Sequence, residues 1–218
     1  MRARVHFDRD LATLTGELQQ LGNMVVHAVQ EAFKALQERD ICRAQRVIED
    51  DRNINQAERD IEAHALRLIA TQQPVASDMR QLIVAIEMAG ELERVADYAK
   101  GIARMALRDA PSPPPALPAD MERMAHRAIT MLQKALDAFI GRNSVSAETL
   151  AADDDEVDAL YERVEETLTR QMIEPETAQW FAGLLFAAHY LERVADRATN
   201  IGERVVYLVQ ARVVELNP

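Results

Sequence analysis

The same acidic pentapeptide, Glu-Arg-Val-Ala-Asp, occurs twice in the chain, at residues 93–97 and at residues 192–196. Both copies lie in long segments whose apolar residues recur every three or four positions, which predicts helix. In a helix, the Glu and the Asp of each copy project from the same face, one turn apart. Carboxylates held in this way can bind a metal ion, dock on a basic partner, or simply line a solvated helix edge.

A second polar pair with the same spacing precedes each pentapeptide, Asp51 with Asn55 and Asp154 with Asp158. If the helix of each pair packs antiparallel to the helix of the pentapeptide, the pairs can face one another and gather three or four oxygen ligands. A ligand set made of carboxylates, with no Cys or His, suits hard cations such as Mg²⁺, Mn²⁺ or iron. Zinc is a further candidate ion. The predicted metal-binding residues are Asp51, Asn55, Glu93, Asp97, Asp154, Asp158, Glu192 and Asp196.

The two predicted sites differ at one ligand. Asn55 stands where the second half has the acid Asp158. A neutral amide is a weaker ligand for a hard cation than a carboxylate, so we expect the second site to bind more tightly. His189, three residues before Glu192, could reach the same face, although a packing or surface position is more typical of a lone His.

The wider apolar periodicity predicts six helices and no strands. Pro74 and Pro175 interrupt the pattern within each half, and a proline-rich segment at 111–118 separates the halves. Asp40, Ser77 or Asp78, and Ser146 are the predicted helix caps. The predicted helices span about 7–38, 40–71, 77–107, 120–141, 146–168 and 176–214.

The two halves align in detail. Residues 34–36 match 134–136, residues 50–55 match 153–158, and the pentapeptides match one another. We therefore predict an all-α fold of two tandem three-helix bundles related by internal duplication. The first repeat covers 1–110, a Pro-rich linker covers 111–119, and the second repeat covers 120–218. A surface loop within one domain is the alternative for the proline-rich segment.

Composition narrows the class of function. The net charge of −11 argues against nucleic-acid binding and for cations or basic partner surfaces. The single cysteine, Cys42, permits no intrachain disulfide and is predicted to be a small buried hydrophobe. The longest apolar run, 180–188, is far shorter than the roughly 20 residues of a membrane span, and no signal-peptide core is present, so we expect a cytoplasmic protein. Trp180 and Phe181 in that run are expected to pack in the bundle.

Sequence motifs of enzymes are absent from the chain. It has no Gly-rich phosphate loop, no nucleophile elbow and no Glu-x-x-His pair. We therefore predict a protein that is not an enzyme. A metal-dependent hydrolase or oxidase that uses the same carboxylates stays open as an alternative, as does a helical bundle that buffers metal.

Three features together resemble the PhoU family, accessory proteins of bacterial high-affinity phosphate transport. They are Gln-Pro-Val-Ala-Ser-Asp-Met-Arg at 73–80, the doubled pentapeptide, and Leu-Phe-Ala-Ala-His-Tyr-Leu at 185–191. The resemblance covers nearly the whole chain with both repeats in order. Two departures concern the acidic motifs: Asn55 breaks the acidic pattern, and Ala96 and Ala195 stand where the family often has Gly.

The resemblance implies six helices in two repeats and a regulator of phosphate homeostasis. Such proteins repress phosphate uptake and the phosphate-starvation (Pho) response when phosphate is plentiful. They are thought to be adaptors between the ATPase subunit of the Pst transporter (PstB-like) and the sensor histidine kinase (PhoR-like). In some members the Glu/Asp-x-x-x-Asp motifs hold metal ions, and these motifs fall on the eight residues named above. We expect a homodimer that reaches the membrane only through its partners.

Overall fold

The computed structural model describes residues 2–111 and 115–217, and six long helices make up most of these residues. No strand is present in the described ranges. A short helix, α5, lies between two of the long ones and was not predicted. The helices are α1 Arg2–Glu38, α2 Ile41–Gln72, α3 Ser77–Ala106, α4 Ala119–Ile140, α5 Ser144–Glu148, α6 Leu150–Gln171 and α7 Pro175–Gln210.

Each half forms one three-helix bundle, which confirms the predicted fold. Helices α1, α2 and α3 pack on one another, and α4, α6 and α7 do the same. Each long helix turns a stripe of apolar side chains toward the core of its bundle. Burying one Leu side chain contributes about 1.5–3 kcal/mol. Burial of these stripes, more than helix propensity, therefore stabilises the bundles. Fully or almost fully buried members of the stripes include Leu18, Leu21, Leu82 and Leu92 in the first half and Leu132, Leu184 and Leu191 in the second.

Two of the predicted helix caps are wrong. Asp40 does cap α2, because its side chain accepts a hydrogen bond from the backbone N–H of Arg43 at 2.9 Å. Helix α3, however, begins at Ser77 itself, and the cap position is held by Ala76 at a φ of 47°. That residue has no side-chain oxygen, so the first N–H groups of α3 receive no side-chain cap.

The start of the fifth predicted helix also differs. Ser146 lies inside the short helix α5, and the cap is Asn143, whose side chain accepts from the N–H of Ser146 at 3.0 Å. The sequence offers several cap residues in a row here, and one turn of helix forms before α6 begins. The first helix begins earlier and the last ends earlier than predicted, at Arg2 and Gln210.

Helices α3 and α7, which carry the two pentapeptides, pack against each other across the junction of the halves. Glu87 lies 3.4 Å from Arg204, and a Cβ placed on Gly101 would be 2.5 Å from the ring of Tyr190. The residue numbers rise along α3, from Glu87 to Gly101, while those of their partners fall along α7, from Arg204 to Tyr190. Helices α3 and α7 are therefore antiparallel. Gly101 has no side chain, which permits this close approach to the tyrosine ring.

The centre of this antiparallel pair falls within the pentapeptides. Its register brings Ala96 opposite Ala195, and both residues are buried. Small residues allow two helices to approach closely. The two pentapeptides are therefore related by an approximate two-fold relation, with α2 on the outer side of one and α6 on the outer side of the other.

The proline-rich segment joins α3 to α4. The structure begins α4 at Ala119, inside the predicted linker 111–119. Residues 112–114 of the linker lie outside the described residues, as do residues 1 and 218 at the ends of the predicted repeats. The exact division into repeats at this segment stays a prediction.

The burial of individual side chains tests the predictions made for Trp180, Phe181 and Cys42. Trp180 and Phe181 are buried as predicted, whereas Cys42 is exposed, so its predicted burial is wrong. Cys42 lies in the first turn of α2, where the inward position is taken by Ala44. Within the described ranges, none of the helices combines the length and apolar character that crossing a membrane requires.

Candidate functional site: two acidic clusters

The fold brings each polar pair next to its pentapeptide. Helix α2 packs along α3, and α6 packs along α7, so each pair and each pentapeptide lie on neighbouring helices as predicted. We call Asp51, Asn55, Glu93 and Asp97 the first-half cluster. We call Asp154, Asp158, Glu192 and Asp196 the second-half cluster.

Asp154 is the most buried acid of the second-half cluster, with 4% of the residue exposed. Burial is the largest cause that raises its pKa, followed by the negative charges of Asp158, Asp196 and Glu192, and the pKa reaches about 7. Its Oδ1 atom is buried and has no hydrogen-bond partner among the described residues. Such an oxygen is costly unless something donates to it or coordinates it.

Glu192 is in a similar state. Burial raises its pKa to about 7, with Asp196 adding to the rise and Arg193 and Arg197 opposing it. Its Oε2 atom lies 3.3 Å from Nδ1 of His189, but the two do not align as a hydrogen bond, and Oε2 has no other partner in the described chain. Asp154 and Glu192 thus each present a buried oxygen whose negative charge is poorly compensated.

The remaining two acids of the second-half cluster differ from each other. Asp196 is buried and well paired, since Arg193 lies 2.6 Å from Oδ2 and Asn217 donates from Nδ2 to Oδ1 at 2.8 Å. Asp158 is exposed, and burial together with the charges of Asp196 and Asp155 raises its pKa. The cluster is therefore anchored at one acid and open to solvent at another.

The first-half cluster contains a cation from the protein itself. Asp51 is 3% exposed, and Nζ of Lys100 lies 2.5 Å from its Oδ2 atom. The same ammonium is 4.0 Å from Oδ1 of Asp97. Asn55 also donates from Nδ2 to Oδ2 of Asp51, at 3.4 Å. The ammonium of Lys100 therefore lies between the acid of α2 and an acid of α3.

Glu93 and Asp97 are less enclosed than their counterparts. Burial raises the pKa of Glu93, and the charges of Asp97, Glu58 and Asp51 add to the rise. The side chain of Asp97 is 55% exposed, whereas that of Asp196 is 11% exposed. The acids of the two clusters therefore differ in burial, since Asp51, Asp154 and Asp196 are buried and Asp97 and Asp158 are exposed.

Neither cluster is a finished coordination site as its side chains stand. Across residues 2–111 and 115–217, no three Asp, Glu, His or Cys side chains are arranged to hold a metal ion. The donor set of the second-half cluster nevertheless fits a hard cation, because all four members are carboxylates and two carry buried oxygens without partners. The first-half cluster also carries buried oxygens without partners, Oδ1 of Asp51 and Oδ1 of Asn55, but it fits less well because an ammonium already lies against its buried acid.

Sequence reasoning missed two of the residues at these clusters. Lys100 follows Asp97 by three positions on the same helix, and the alignment of the repeats pairs it with Thr199. Extending the repeat comparison beyond the pentapeptide would have shown this difference. Asn217 comes from the segment after α7, where no periodicity links it to Asp196. His189 does lie beside Glu192, which was the less favoured alternative for that residue.

The comparisons with known proteins find similarity to members of one protein family. The family model described as the PhoU domain matches residues 18–106 and 121–205. The chain is 36% identical to the phosphate-specific transport system accessory protein PhoU homolog of Rhizobium meliloti, over 93% of this chain and 86% of that protein. It is 33% identical to the Escherichia coli phosphate-specific transport system accessory protein PhoU, over 94% and 86% of the respective chains.

Solved structures agree with the sequence matches. The crystal structure of the phosphate transport system regulatory protein PhoU from Streptococcus pneumoniae is similar at a TM-score of 0.89 and 30% identity, covering 96% of this chain and 99% of that one. PhoU from Pseudomonas aeruginosa is similar at a TM-score of 0.88 and 32% identity, covering 94% and 100%. At this coverage the similarity extends over both repeats.

Proposed function

The chain belongs to the PhoU family, and from this premise we propose that it is an accessory protein of phosphate transport that represses phosphate uptake and the Pho response when phosphate is plentiful. The observation that carries the proposal is the match of both repeats, over nearly the full length, to relatives named as accessory proteins of the phosphate-specific transport system. Those names describe accessory proteins, and the similar Streptococcus pneumoniae structure is that of a regulatory protein, which supports a role other than catalysis for this chain.

The proposed mechanism is that of an adaptor in the cytoplasm. The protein bridges the transporter's ATPase subunit and the sensor histidine kinase, works as a homodimer, and reaches the membrane only through these partners. An adaptor can bias the kinase only if it binds one state of the kinase more tightly than the other. The net charge of −11 and the exposed acids at both clusters favour a basic docking surface on the partner.

Metal binding is the second part of the proposal. In the second half, Asp154, Asp158, Glu192 and Asp196 would hold an ion of iron, manganese, zinc or magnesium. The partnerless buried oxygens of Asp154 and Glu192 support this assignment. A bound divalent ion would supply positive charge to the partnerless oxygens of Asp154 and Glu192, and the pairing of Asp196 with Arg193 would keep one edge of the cluster in place.

The regulatory role is tested in cells that lack their own PhoU protein. Expression of this chain should restore repression of a phosphatase reporter in high phosphate. The docking version is tested by pull-down with the cytoplasmic part of the kinase, which should weaken when all four pentapeptide acids are changed to Ala, Glu93, Asp97, Glu192 and Asp196. A matched control removes four exposed acids elsewhere, Asp60, Glu62, Glu165 and Glu166. Equal binding by both variants would contradict docking through the clusters.

A metal-buffering bundle is the second candidate, and the second-half cluster is the observation that favours it. Stoichiometric metal binding without any effect on the reporter would support buffering over regulation. The enzyme alternative is tested on the same preparation. Turnover of phosphate esters by the purified protein, lost on Glu192→Ala, would support a hydrolase.

A further inference from the structure

The chain itself supplies a counter-charge to the buried acid of the first-half cluster. Asp51 is almost completely buried, and a buried carboxylate needs a counter-charge and donors to its oxygens. The chain supplies the counter-charge, since Lys100 lies 2.5 Å from Oδ2 of Asp51. Asn55 donates to the same oxygen, while Oδ1 of Asp51 has no hydrogen-bond partner among the described residues. The ammonium of Lys100 is itself largely shielded, with 22% of the side chain exposed.

The second half has no lysine at the position that aligns with Lys100. Thr199 occupies the position that aligns with Lys100, and its hydroxyl donates to the backbone carbonyl of Asp196, at 2.7 Å. The second-half cluster therefore has four carboxylates, one of which, Asp196, is paired with Arg193. The first-half cluster has three carboxylates, an amide and an ammonium that contacts the buried acid. Lys100 and Thr199 are both held on the helix of their own pentapeptide, so the difference is one of chemistry and not of fold.

We infer that Lys100 takes the place of a metal ion in the first half, so that this chain binds divalent cations at the second-half cluster alone. Three observations carry the inference: the ammonium contacts the buried Asp51, it lies within 4.0 Å of Asp97, and Asn55 turns its NH₂ group toward Asp51. A divalent ion at this place would meet a positive charge a few ångströms away. The second-half part of the inference rests on the metal binding proposed above, whereas the first-half part stands by itself.

The test exchanges the two residues that distinguish the clusters. The variant Asn55→Asp/Lys100→Thr gives the first half the residues of the second half at both positions. Mn²⁺ binding is measured by equilibrium dialysis, with helicity checked by circular dichroism. The wild type should lose its Mn²⁺ on Asp154→Asn/Glu192→Gln and keep it on Asp51→Asn. The exchanged variant should gain about one further Mn²⁺ per chain, which Asp51→Asn then removes.

A matched control removes a lysine from an ion pair outside both clusters. Lys134 pairs with Asp153, which Arg127 also contacts, so Lys134→Thr leaves that acid with a partner. This control should bind as much Mn²⁺ as the wild type. If it gains Mn²⁺ as the exchanged variant does, the gain comes from net charge and the inference is overturned.

A second measurement needs no substitution and applies even if the exchanged variant fails to fold. The chain has three lysines, Lys34, Lys100 and Lys134. Their reactivity toward trace acetic anhydride is read by mass spectrometry. Lys100 should react more slowly than Lys34, whose side chain is 55% exposed, and saturating Mn²⁺ should not change this. Faster labelling of Lys100 on adding Mn²⁺ would mean that the ion displaces the ammonium, which would overturn the inference.

The remaining outcomes separate this inference from the proposed function. If the wild type binds no Mn²⁺ and the exchanged variant does, the role of Lys100 is supported and metal binding in the second half is wrong. If Asp51→Asn removes Mn²⁺ from the wild type, the first half binds metal and the inference is overturned. Absence of Mn²⁺ binding in every variant overturns it as well.

Discussion

The two halves of this molecule share a fold and differ in how they treat a buried acid at the same position. Asp51 and Asp154 each carry one buried oxygen without a hydrogen-bond partner in the described residues. Asp51 has an ammonium against its other oxygen, whereas the charges that act on Asp154 are those of neighbouring acids. The acid at the end of the pentapeptide differs as well, since Asp97 is exposed and Asp196 is buried.

This difference shows that, in a duplicated bundle, the residues that stabilise the fold can be distinct from the residues that determine ion binding. Apolar stripes fix the helices, and the helices bring the same positions together in both halves. Two differences between the halves, Asn55 against Asp158 and Lys100 against Thr199, then decide whether the buried acid is neutralised by the chain or left available to an ion. The fold accommodates both residues because Lys100 keeps part of its side chain exposed, while the buried Thr199 donates its hydroxyl to the backbone carbonyl of Asp196.

The strongest way to break the comparison is to remove the cation of the first half. Lys100→Met leaves the buried carboxylate of Asp51 unpaired and should lower the free energy of unfolding by about 3 kcal/mol, since breaking a buried ion pair costs more than the pair contributes. Urea denaturation measures this. Adding Asp51→Asn should restore most of the loss, and a loss under about 1 kcal/mol in the single variant would contradict the account.

The matching change in the second half should have the opposite sign. Asp154→Asn removes a carboxylate that is repelled by Asp158, Asp196 and Glu192, so metal-free protein at pH 8 should become more stable by about 2 kcal/mol. The comparison is sharpest against Asp51→Asn, which leaves Lys100 without its main partner and should destabilise. A stabilising effect of both substitutions in urea denaturation would remove the distinction between the halves.

The pH dependence of stability should also come from the second half. The pKa of Asp154 rises from 3.8, and that of Glu192 from 4.5, to about 7 in the folded protein. Between about pH 4 and pH 7 the folded state therefore binds more protons than the unfolded state, so these groups lower the free energy of unfolding as the pH rises. Above pH 7 both states are ionised and this contribution becomes constant.

The measurement is the difference in unfolding free energy between the wild type and Asp154→Asn/Glu192→Gln across that range, in metal-free buffer. The variant should lack this fall in stability, so the two curves should separate progressively from pH 4 to pH 7. Parallel curves would show that these two acids titrate in the folded protein as they do in the unfolded chain.

The smallest predicted effect concerns the segment after α7. Asn217 donates a hydrogen bond to Asp196, which Asn217→Ala removes, and the expected loss is about 1 kcal/mol because Asp196 keeps Arg193. Thermal denaturation should detect it as a small drop in Tm. An unchanged Tm would mean that solvent replaces this contact.

Much of the fold can be predicted from the sequence alone. The three- and four-residue spacing of apolar side chains predicts the six long helices, and the internal matches predict their division into two bundles. Helix starts were predicted less well. Ser77 and Ser146 looked like caps, but Ala76 and Asn143 hold those positions, because the cap depends on where the chain turns and several candidates stand within a few residues.

The sequence predicted which helices bring the acidic residues together, but it did not predict which acids are buried or paired with a cation. Equal spacing and identical pentapeptides suggested two similar metal sites with only Asn55 to distinguish them. The ammonium of Lys100 enters from the next turn of α3, and its reach to Asp51 depends on how α2 and α3 pack. Burial of one acid and exposure of its counterpart depend on the same tertiary packing, which periodicity alone does not supply.

The most direct test of the difference between the halves is the metal content of protein purified without chelators or an affinity tag. Three proteins are compared, the wild type, Glu93→Ala and Glu192→Ala, with helicity checked in each. We predict stoichiometric iron, manganese or zinc in the wild type and in Glu93→Ala, and its loss in Glu192→Ala. Equal loss in both variants, or no metal in any of the three after incubation with these ions, would contradict the assignment of the second half as the metal-binding half.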